Sequence, residues 1–454
     1  MKWSALTSSM ALLVYWLTLA PDLTWAHAGS DGPELITAAV TLGVPHPPGY
    51  PLYVLLGKLV SHLPIGTVAH RFNLFSALAM AVAAGFVCQT AWEWGNQKRP
   101  LSAIATGLTF AFTPLVWGQA TITEVYALNA AFIAAFLWAL LSQQSVWLAG
   151  TLAGLSVTTH LTSLLLLPLA LVHTPWRKWS RLGTAVLLGL TPFLTIPWLA
   201  RTNSPVLWGQ PDNLSGWWWV ASARIYRPNV FALPLPEWSA RWQAWQPILS
   251  HQLAGIGWIF IPVGFWQTYK KNQWRAITIL GTAVLYGIYA FTYTSHDAWV
   301  FLLPALLLLC LLISPTLHHI NHASLTLPLL LLLLNFNGQN LRQDWQVRTL
   351  LETNATRIPA NAIVITPGDE TIFTLWYWQH VENQRPDLIV IDGNLMAFDW
   401  YRRHLQQREP SLQHLAEDDV PGFVTINSNQ FLVCGFSLLN RPPAVPNLQP
   451  CIED

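Results

Sequence analysis

Only 10% of the residues are charged, and the apolar ones gather into runs such as Phe301–Ile313 and Leu325–Leu334. A soluble domain carries about 25% charged residues, because its surface faces water whatever the size of its core. A chain of 454 residues with so few charges must turn much of its surface toward hydrocarbon. One helical passage of a bilayer takes roughly 17–25 predominantly apolar residues. Hydropathy places candidate spans near residues 4–20, 72–91, 101–116, 122–141, 147–159, 161–173, 183–199, 251–267, 276–292, 299–314 and 323–337. The expected fold is therefore mainly α, a polytopic membrane protein of about eleven helical spans. Lys2, the apolar stretch through Ala20 and Ala26-His27-Ala28 imitate a cleavable signal peptide, while the same stretch also serves as a first span. On either reading the segment that follows is exported.

Charge sets the orientation. With the N-terminus inside, Lys98-Arg99, then Arg177, Lys178 and Arg181, then Lys270, Lys271 and Arg275 all fall in short cytoplasmic loops. That satisfies the positive-inside rule, provided 147–159 and 161–173 are two passes. Two outer segments are long, 21–71 and 200–250. Before residue 340 the carboxylates Asp22, Asp31, Glu34, Glu124, Asp212, Glu237 and Asp297 lie in or at the edge of outer segments, and Glu93 does not. Acidic residues do little to set topology, so their asymmetry suggests a polar site on the outer face. The 26 tryptophans suit indoles placed at the two membrane interfaces.

After residue 337 the composition changes. Residues 1–337 read as a membrane domain and 338–454 as a small extracytoplasmic α/β domain. Its signal is a strand–helix–strand pattern at Ala362–Thr366, Glu370–Glu382 and Asp387–Asp392. It has no Gly-rich phosphate fingerprint. Net charge is +1, which argues against nucleic acid as a partner. Cys88 and Cys310 read as small core residues, and Cys434 and Cys451 are compatible with a disulfide in an exported domain. The four cysteines have no metal-ligand spacing, a divalent cation is not indicated, and no cofactor is assigned.

The first outer segment carries Asp31-Gly32-Pro33-Glu34 and then His46-Pro47-Pro48-Gly49-Tyr50-Pro51. Pro33 suits a first helical turn, where its missing N–H costs nothing. Asp31 and Glu34 then sit at one helix mouth, either as paired catalytic carboxylates or as an N-cap with its capping-box acid. The prolines stiffen the segment after the helix, and Tyr50–Leu63 has the pattern of a helix lying in the interface. His46 reads either as a proton shuttle or as an interfacial hydrogen-bonding residue. Glu124 at the edge of a span should face protein or a wet cavity, because a carboxylate facing lipid is costly. His160, within Thr158–Ser163, and Asp297, within Ser295-His296-Asp297, mark two further polar outer turns. Arg71, Arg201, Arg224 and Arg227 stand outside against the charge rule, as phosphate ligands or headgroup anchors.

Asp31–Leu35, His46–Tyr53, Arg71-Phe72-Asn73-Leu74-Phe75-Ser76-Ala77-Leu78 and Glu124-Val125-Tyr126-Ala127-Leu128-Asn129 follow in order, and most of the chain resembles one family on their account. It is a large bacterial family of membrane proteins long labelled a domain of unknown function. Its animal relative is a transmembrane protein O-mannosyltransferase, and it is similar to the C-type (GT-C) glycosyltransferases. Thr159-His160-Leu161-Thr162-Ser163, Leu207-Trp208-Gly209-Gln210-Pro211, Leu375-Trp376-Tyr377-Trp378 and Arg385-Pro386-Asp387 belong to the same resemblance. Two departures stand out: Gly32-Pro33 where the family has Ser-Gly, and Gln210 where it prefers Asp, with Asp212 displaced.

The resemblance implies a GT-C-like fold and a sugar taken from a polyprenyl-phosphate carrier at the outer face of an inner membrane. Asp31 would be the general base for an acceptor hydroxyl in an inverting transfer, with Glu34 orienting the acceptor or the base. His46, Tyr50, Arg71, Glu124, Tyr126, His160, Trp208 and Asp297 would line the substrate pocket. The acceptor, whether protein, lipid or glycan, is not specified. The alternative is a transporter or a lipid-carrier-binding protein, since intramembrane ionisable groups also mark transport paths. No internal repeat of the kind common in transporters is apparent.

Overall fold

The structure is a computed structural model and describes every residue except Asn96, Pro443, Ala444, Asn447, Glu453 and Asp454. The chain forms two compact units. A helical unit comprises Met1–Leu19, Asn73–Leu194 and Ile225–Arg342, and a loop–tail unit comprises Ala20–Phe72, Thr195–Arg224 and Gln343–Asp454. The division departs from the one expected at residue 337. Residues 20–72 and 195–224 share a unit with the tail because they pack on it rather than standing apart as loops.

In the helical unit, apolar composition and proline placement decide where helices run and break. Val68–Trp94, which supplies most of its length here, has 27 residues. At 1.5 Å per residue that is about 40 Å, enough to cross roughly 30 Å of hydrocarbon. Pro100–Phe112 and Pro114–Ala120 meet at 71°. Pro114 lacks an N–H and crowds the preceding turn, and Thr113 before it is extended, with ψ 138°. Leu235–Gln252 and Ile256–Lys271 meet at 83°, next to Gly255 at φ +69°. Val146–Thr159 ends at His160, where the backbone extends before Leu161–Leu166 resumes as a 3-10 turn.

Among the described residues, four helices suit a membrane crossing by length and composition alone, or up to six if each bent pair is one span. The number is below the eleven segments expected for two reasons. Several apolar helices, among them Tyr126–Leu141 and Val146–Thr159, have only 10–17 residues. The last two expected segments also fall within one 42-residue helical passage, Ala298–Gln339.

Packing within this unit relies on shape. Val146–Thr159 lies against Trp179–Gly189, and a Cβ on Gly154 would collide with the Val186 carbonyl and with Gly189. A Cβ on Gly150, one turn earlier, would collide with Ala185 and the Leu182 carbonyl. Small residues four apart let two backbones meet, the recurring way helices associate in lipid. The first helix, Lys2–Thr18, joins the same core: Tyr15 donates its hydroxyl to the Ala111 carbonyl at 2.8 Å, and Trp117 Nε1–H donates to Thr18 Oγ1 at 2.9 Å.

The loop–tail unit is built around a three-stranded parallel sheet, ordered β2-β1-β3, from β1 (Ile363–Thr366), β2 (Ile389–Asp392) and β3 (Val433–Gly435). Ile363 pairs with Ile389 on one side and Val433 on the other. Ile363, Val364 and Ile365 are all buried, as expected for a central parallel strand covered on both faces. The helix Asp369–His380 connects β1 to β2 and packs on the first-loop helix Gly32–Thr41. The strand–helix–strand reading of the tail thus matches the observed elements. Cys434 and Cys451 form a disulfide, with Cα atoms 4.9 Å apart, tying β3 to the chain after it.

Charges hold this unit together. Arg348 reaches buried Asp22 at 3.0 Å and Glu382 at 2.5 Å, linking the segment after the first helix to the tail. Tyr377 accepts the Ala69 N–H at 3.3 Å. Lys58, on the helix Pro51–Ser61, donates to the Val40 carbonyl at the C-terminal end of Gly32–Thr41. A cation there meets the negative end of the helix dipole.

Candidate active site

Asp31 occupies the N-cap of Gly32–Thr41, with Pro33 in the first turn, yet its side chain makes no capping bond. Glu34 does not reach back to the helix start either. Its side chain is fully buried, Oε1 accepts the His46 backbone N–H at 3.1 Å, and Oε2 lies 2.5 Å from His46 Nδ1. Trp208 Nε1–H donates to Oε1 at 2.5 Å. A buried carboxylate is tolerable only when so compensated. The capping-box alternative therefore gives way to a carboxylate that fixes a histidine.

His46 stands between two acids. An ionised Glu34 accepts only, which places hydrogen on Nδ1 and turns Nε2 toward Asp31 Oδ2 at 3.6 Å and the Tyr50 hydroxyl at 3.2 Å. Asp31 is one-third exposed while Glu34 is sealed off, so the outer carboxylate meets solvent and the inner one holds the imidazole. Tyr50 is itself in the left-handed region at φ +36°, immediately before the Pro51–Ser61 helix. A non-glycine residue there carries strain of the sort that clusters at functional sites.

Long-range contacts bring in Trp208. The Val44 N–H donates to the Val206 carbonyl at 2.9 Å, and the Trp208 N–H returns to the Val44 carbonyl at 3.1 Å. Gly43 permits this approach, since a Cβ would strike Ser204 and the Val206 carbonyl. From the tail, the Trp400 ring lies 5.5 Å from Trp208 and 6.0 Å from Trp219. His404, on Asp399–Arg408, lies against the backbone at Ser204 and Pro205, and burial holds its pKa down at about 4.

The tail adds two acids. Asp369 opens the helix that packs on Gly32–Thr41, and its side chain is exposed to solvent. Surrounding protein nevertheless pushes its pKa up to about 7, and the charges of Asp31 and Glu34 push the same way. Asp392, at the end of β2, is buried and accepts the Asn394 and Leu395 N–H groups at 2.7 and 3.2 Å. Burial first, then the charge of Asp369, raises its pKa to about 7.

Of the residues marked in the sequence, Asp31, Glu34, His46, Tyr50 and Trp208 converge here. Arg71 belongs to the same unit, but its guanidinium donates to the Ser61, Ile65 and Gly66 carbonyls, closing the turn after Pro51–Ser61. Glu124, Tyr126, His160 and Asp297 belong to the helical unit. Tyr126 and His160 stack around Phe301, at 6.2 and 5.4 Å, with their own rings 5.3 Å apart. Glu124 is buried and its Oε2 accepts the Val125 N–H at 3.3 Å. Asp297 accepts the Ser295 hydroxyl. Among the described residues, no group of three or more His, Cys, Asp or Glu is placed to hold a metal ion.

Sequence reading missed Asp369, Asp392 and Trp400. One signal was available: sites in parallel sheets gather beyond the carboxyl ends of strands, and Asp369 and Asp392 follow or end β1 and β2.

A family model described as the protein O-mannosyl-transferase TMEM260 N-terminal domain matches residues 31–183, and one described as TMEM260-associated domain 2 matches 348–414. The chain is similar to the TMEM260 protein O-mannosyl-transferases. It is 26% identical to the mouse protein O-mannosyl-transferase TMEM260 over 496 aligned positions, covering 92% of this chain and 67% of that protein. To the Dictyostelium discoideum protein O-mannosyl-transferase tmem260 it is 34% identical over 125 residues, 27% of this chain and 14% of that protein. In fold it is similar to ArnT from Cupriavidus metallidurans in the apo state, with TM-score 0.56 and 13% identity over 87% of this chain and 91% of that one. The relatives' names and the ArnT-like fold support reading the chain as a membrane glycosyltransferase. The TMEM260 models begin at Asp31 and also span Asp369, Asp392 and Trp400.

Proposed function

We propose that this chain moves a sugar from a polyprenyl-phosphate-linked donor to an acceptor hydroxyl, with inversion, on the extracytoplasmic face of an inner membrane. The reading keeps the topology of about eleven passes with the tail exported. The observation that carries it is His46 held by buried Glu34 on one side and facing the partly exposed Asp31 on the other.

Asp31 takes the acceptor proton as the hydroxyl oxygen attacks the anomeric carbon, and the lipid phosphate departs from the opposite face. A phosphate leaves as a stable anion and needs little protonation, so one well-placed base serves the step. Glu34 acts through His46, fixing its Nδ1 hydrogen and aiming Nε2 at Asp31. Tyr50 and Trp208 hold that pair in register. Arg71 is left out of the substrate site because its donors are engaged elsewhere.

The test is transfer from a radiolabelled polyprenyl-phosphate sugar by membranes carrying Asp31→Asn. The expected loss is about 10²–10⁴-fold, the usual contribution of a general base. Undiminished transfer would remove Asp31 from the role. Binding of the carrier without turnover by the unsubstituted protein favours the lipid-carrier-binding reading instead.

A further inference from the structure

We propose that the cavity at the break between Leu235–Gln252 and Ile256–Lys271 binds the headgroup of a phospholipid bearing a primary ammonium, as an ethanolamine lipid does. The cavity belongs wholly to the helical unit and shares no residue with the carboxylate site around His46.

The break makes the room. Trp238–Gln252 stops where Ala254 and Gly255 both take positive φ, +52° and +69°, and the next helix sets off at 83°. A Cβ on Gly255 would meet nothing within 4 Å. Ser250, His251, Ala254 and Gly255 line a cavity of about 400 Å³ together with Leu334 and Asn335 of the helix Thr326–Gln339. Sites for small ligands occupy about 300–1,000 Å³.

No Lys, Arg, Asp or Glu lines it. Each polar side chain turns a donor toward the backbone, which leaves acceptors over. Ser250 Oγ–H donates to the Pro247 carbonyl at 3.0 Å, and His251 Nδ1 lies 2.6 Å from the same oxygen. A carbonyl only accepts, so Nδ1 carries the imidazole hydrogen and Nε2 keeps a lone pair. Asn335 Nδ2 donates to the Phe112 carbonyl at 3.3 Å, so Oδ1 is the acceptor end of that amide. Among the described residues, no hydrogen bond engages His251 Nε2 or Asn335 Oδ1.

An uncharged cavity with spare acceptors suits a ligand that brings hydrogens and no net charge. The ammonium of an ethanolamine phospholipid has three N–H groups, and the lipid's own phosphate balances its charge. A choline headgroup has no N–H to give, and a phosphate alone finds no cation among the lining residues. The surroundings argue for a lipid. Ile256, Ile259, Leu333 and Leu334, in and beside the cavity wall, are all more than half exposed. Such an apolar patch on a unit of membrane-crossing helices faces acyl chains.

The test uses the full chain, purified and exchanged into nanodiscs of equal phosphatidylethanolamine and phosphatidylcholine, with the retained lipid read by native mass spectrometry. The unsubstituted protein should retain phosphatidylethanolamine over phosphatidylcholine by about tenfold, because hydrogen bonds to a charged group are among the stronger ones. His251→Phe keeps the ring at an exposed position and removes Nε2, and the preference should fall to about threefold or less. His251→Gln restores an acceptor and should recover part of it. Equal retention of the two lipids by the unsubstituted protein overturns the proposal, as does a preference that survives intact in His251→Phe. Soluble ethanolamine that binds as tightly as the lipid also overturns it, since the acyl chains would then contribute nothing.

Discussion

The two units keep polar groups away from solvent by different means. In the helical unit, backbones meet directly at Gly150, Gly154 and Gly189, and His160 sits against the rings of Tyr126 and Phe301. In the loop–tail unit, Glu34 is held by His46 and Trp208, and Asp22 by Arg348. Lipid gives helices no hydrophobic reason to associate with one another, so close fit has to do that work. A unit assembled from segments far apart in sequence has little continuous apolar face, and specific charge pairs select its register. The first arrangement should therefore be sensitive to added volume and the second to lost charge.

The largest effect on stability should come from removing the Arg348 guanidinium. Arg348→Ala leaves Asp22 and Glu382 without their cation, and Asp22 is almost wholly inaccessible. Breaking a buried pair from one side costs about 3–5 kcal/mol. Thermal unfolding with limited proteolysis should show early opening of the tail, while the helical unit melts as before. Equal loss in both units would erase the contrast.

Gly154→Val tests the other side. The added carbons must push Val186 and Gly189 away, and overpacking of this kind costs about 1–3 kcal/mol. The melting temperature in detergent should fall, and cleavage of the tail should be unchanged.

The smallest effect is expected at Arg385. Its guanidinium reaches Asp387 at 2.8 Å, and that bond leads the causes holding the Asp387 carboxyl down at about 2. Because the folded pKa is depressed, the contribution is complete above the ordinary aspartate value and fades as pH falls from about 4 toward 2. The pair lies at the surface, only partly buried, so Arg385→Ala should cost no more than about 1 kcal/mol at neutral pH. Denaturant titrations at neutral pH and near pH 2 should differ less for the variant than for the unsubstituted protein. A large loss at neutral pH would mean that exposed pairs matter as much here as the buried one.

Much of this architecture was legible locally. Pro33 marked a helix start, the pattern of Tyr50–Leu63 marked a second helix, the alternation in the tail marked β1, its helix and β2, and the first-loop acids with His46 stood out because ionisable groups are so scarce. The rest was hidden for stated reasons. Asp31 and Glu34 are spaced alike whether they cap a helix or hold a histidine, so only the position of His46 and Trp208 separates the two. Arg71 reads as a free cation until its turn closes around it. Asp369 is more than three hundred residues from Asp31, and no local pattern reports such a pairing.

Taken alone, then, the residues determine that this is a membrane chain, that its tail makes a small parallel sheet, and which side chains are chemically equipped to react. Those follow from hydropathy, periodicity and charge, all of which act over a few turns of chain. Which carboxylate is sealed and which is open, and which segments share a unit, were decided only in three dimensions. A carboxyl's character depends on its neighbours within several ångströms, and here those neighbours arrive from three distant stretches of the chain.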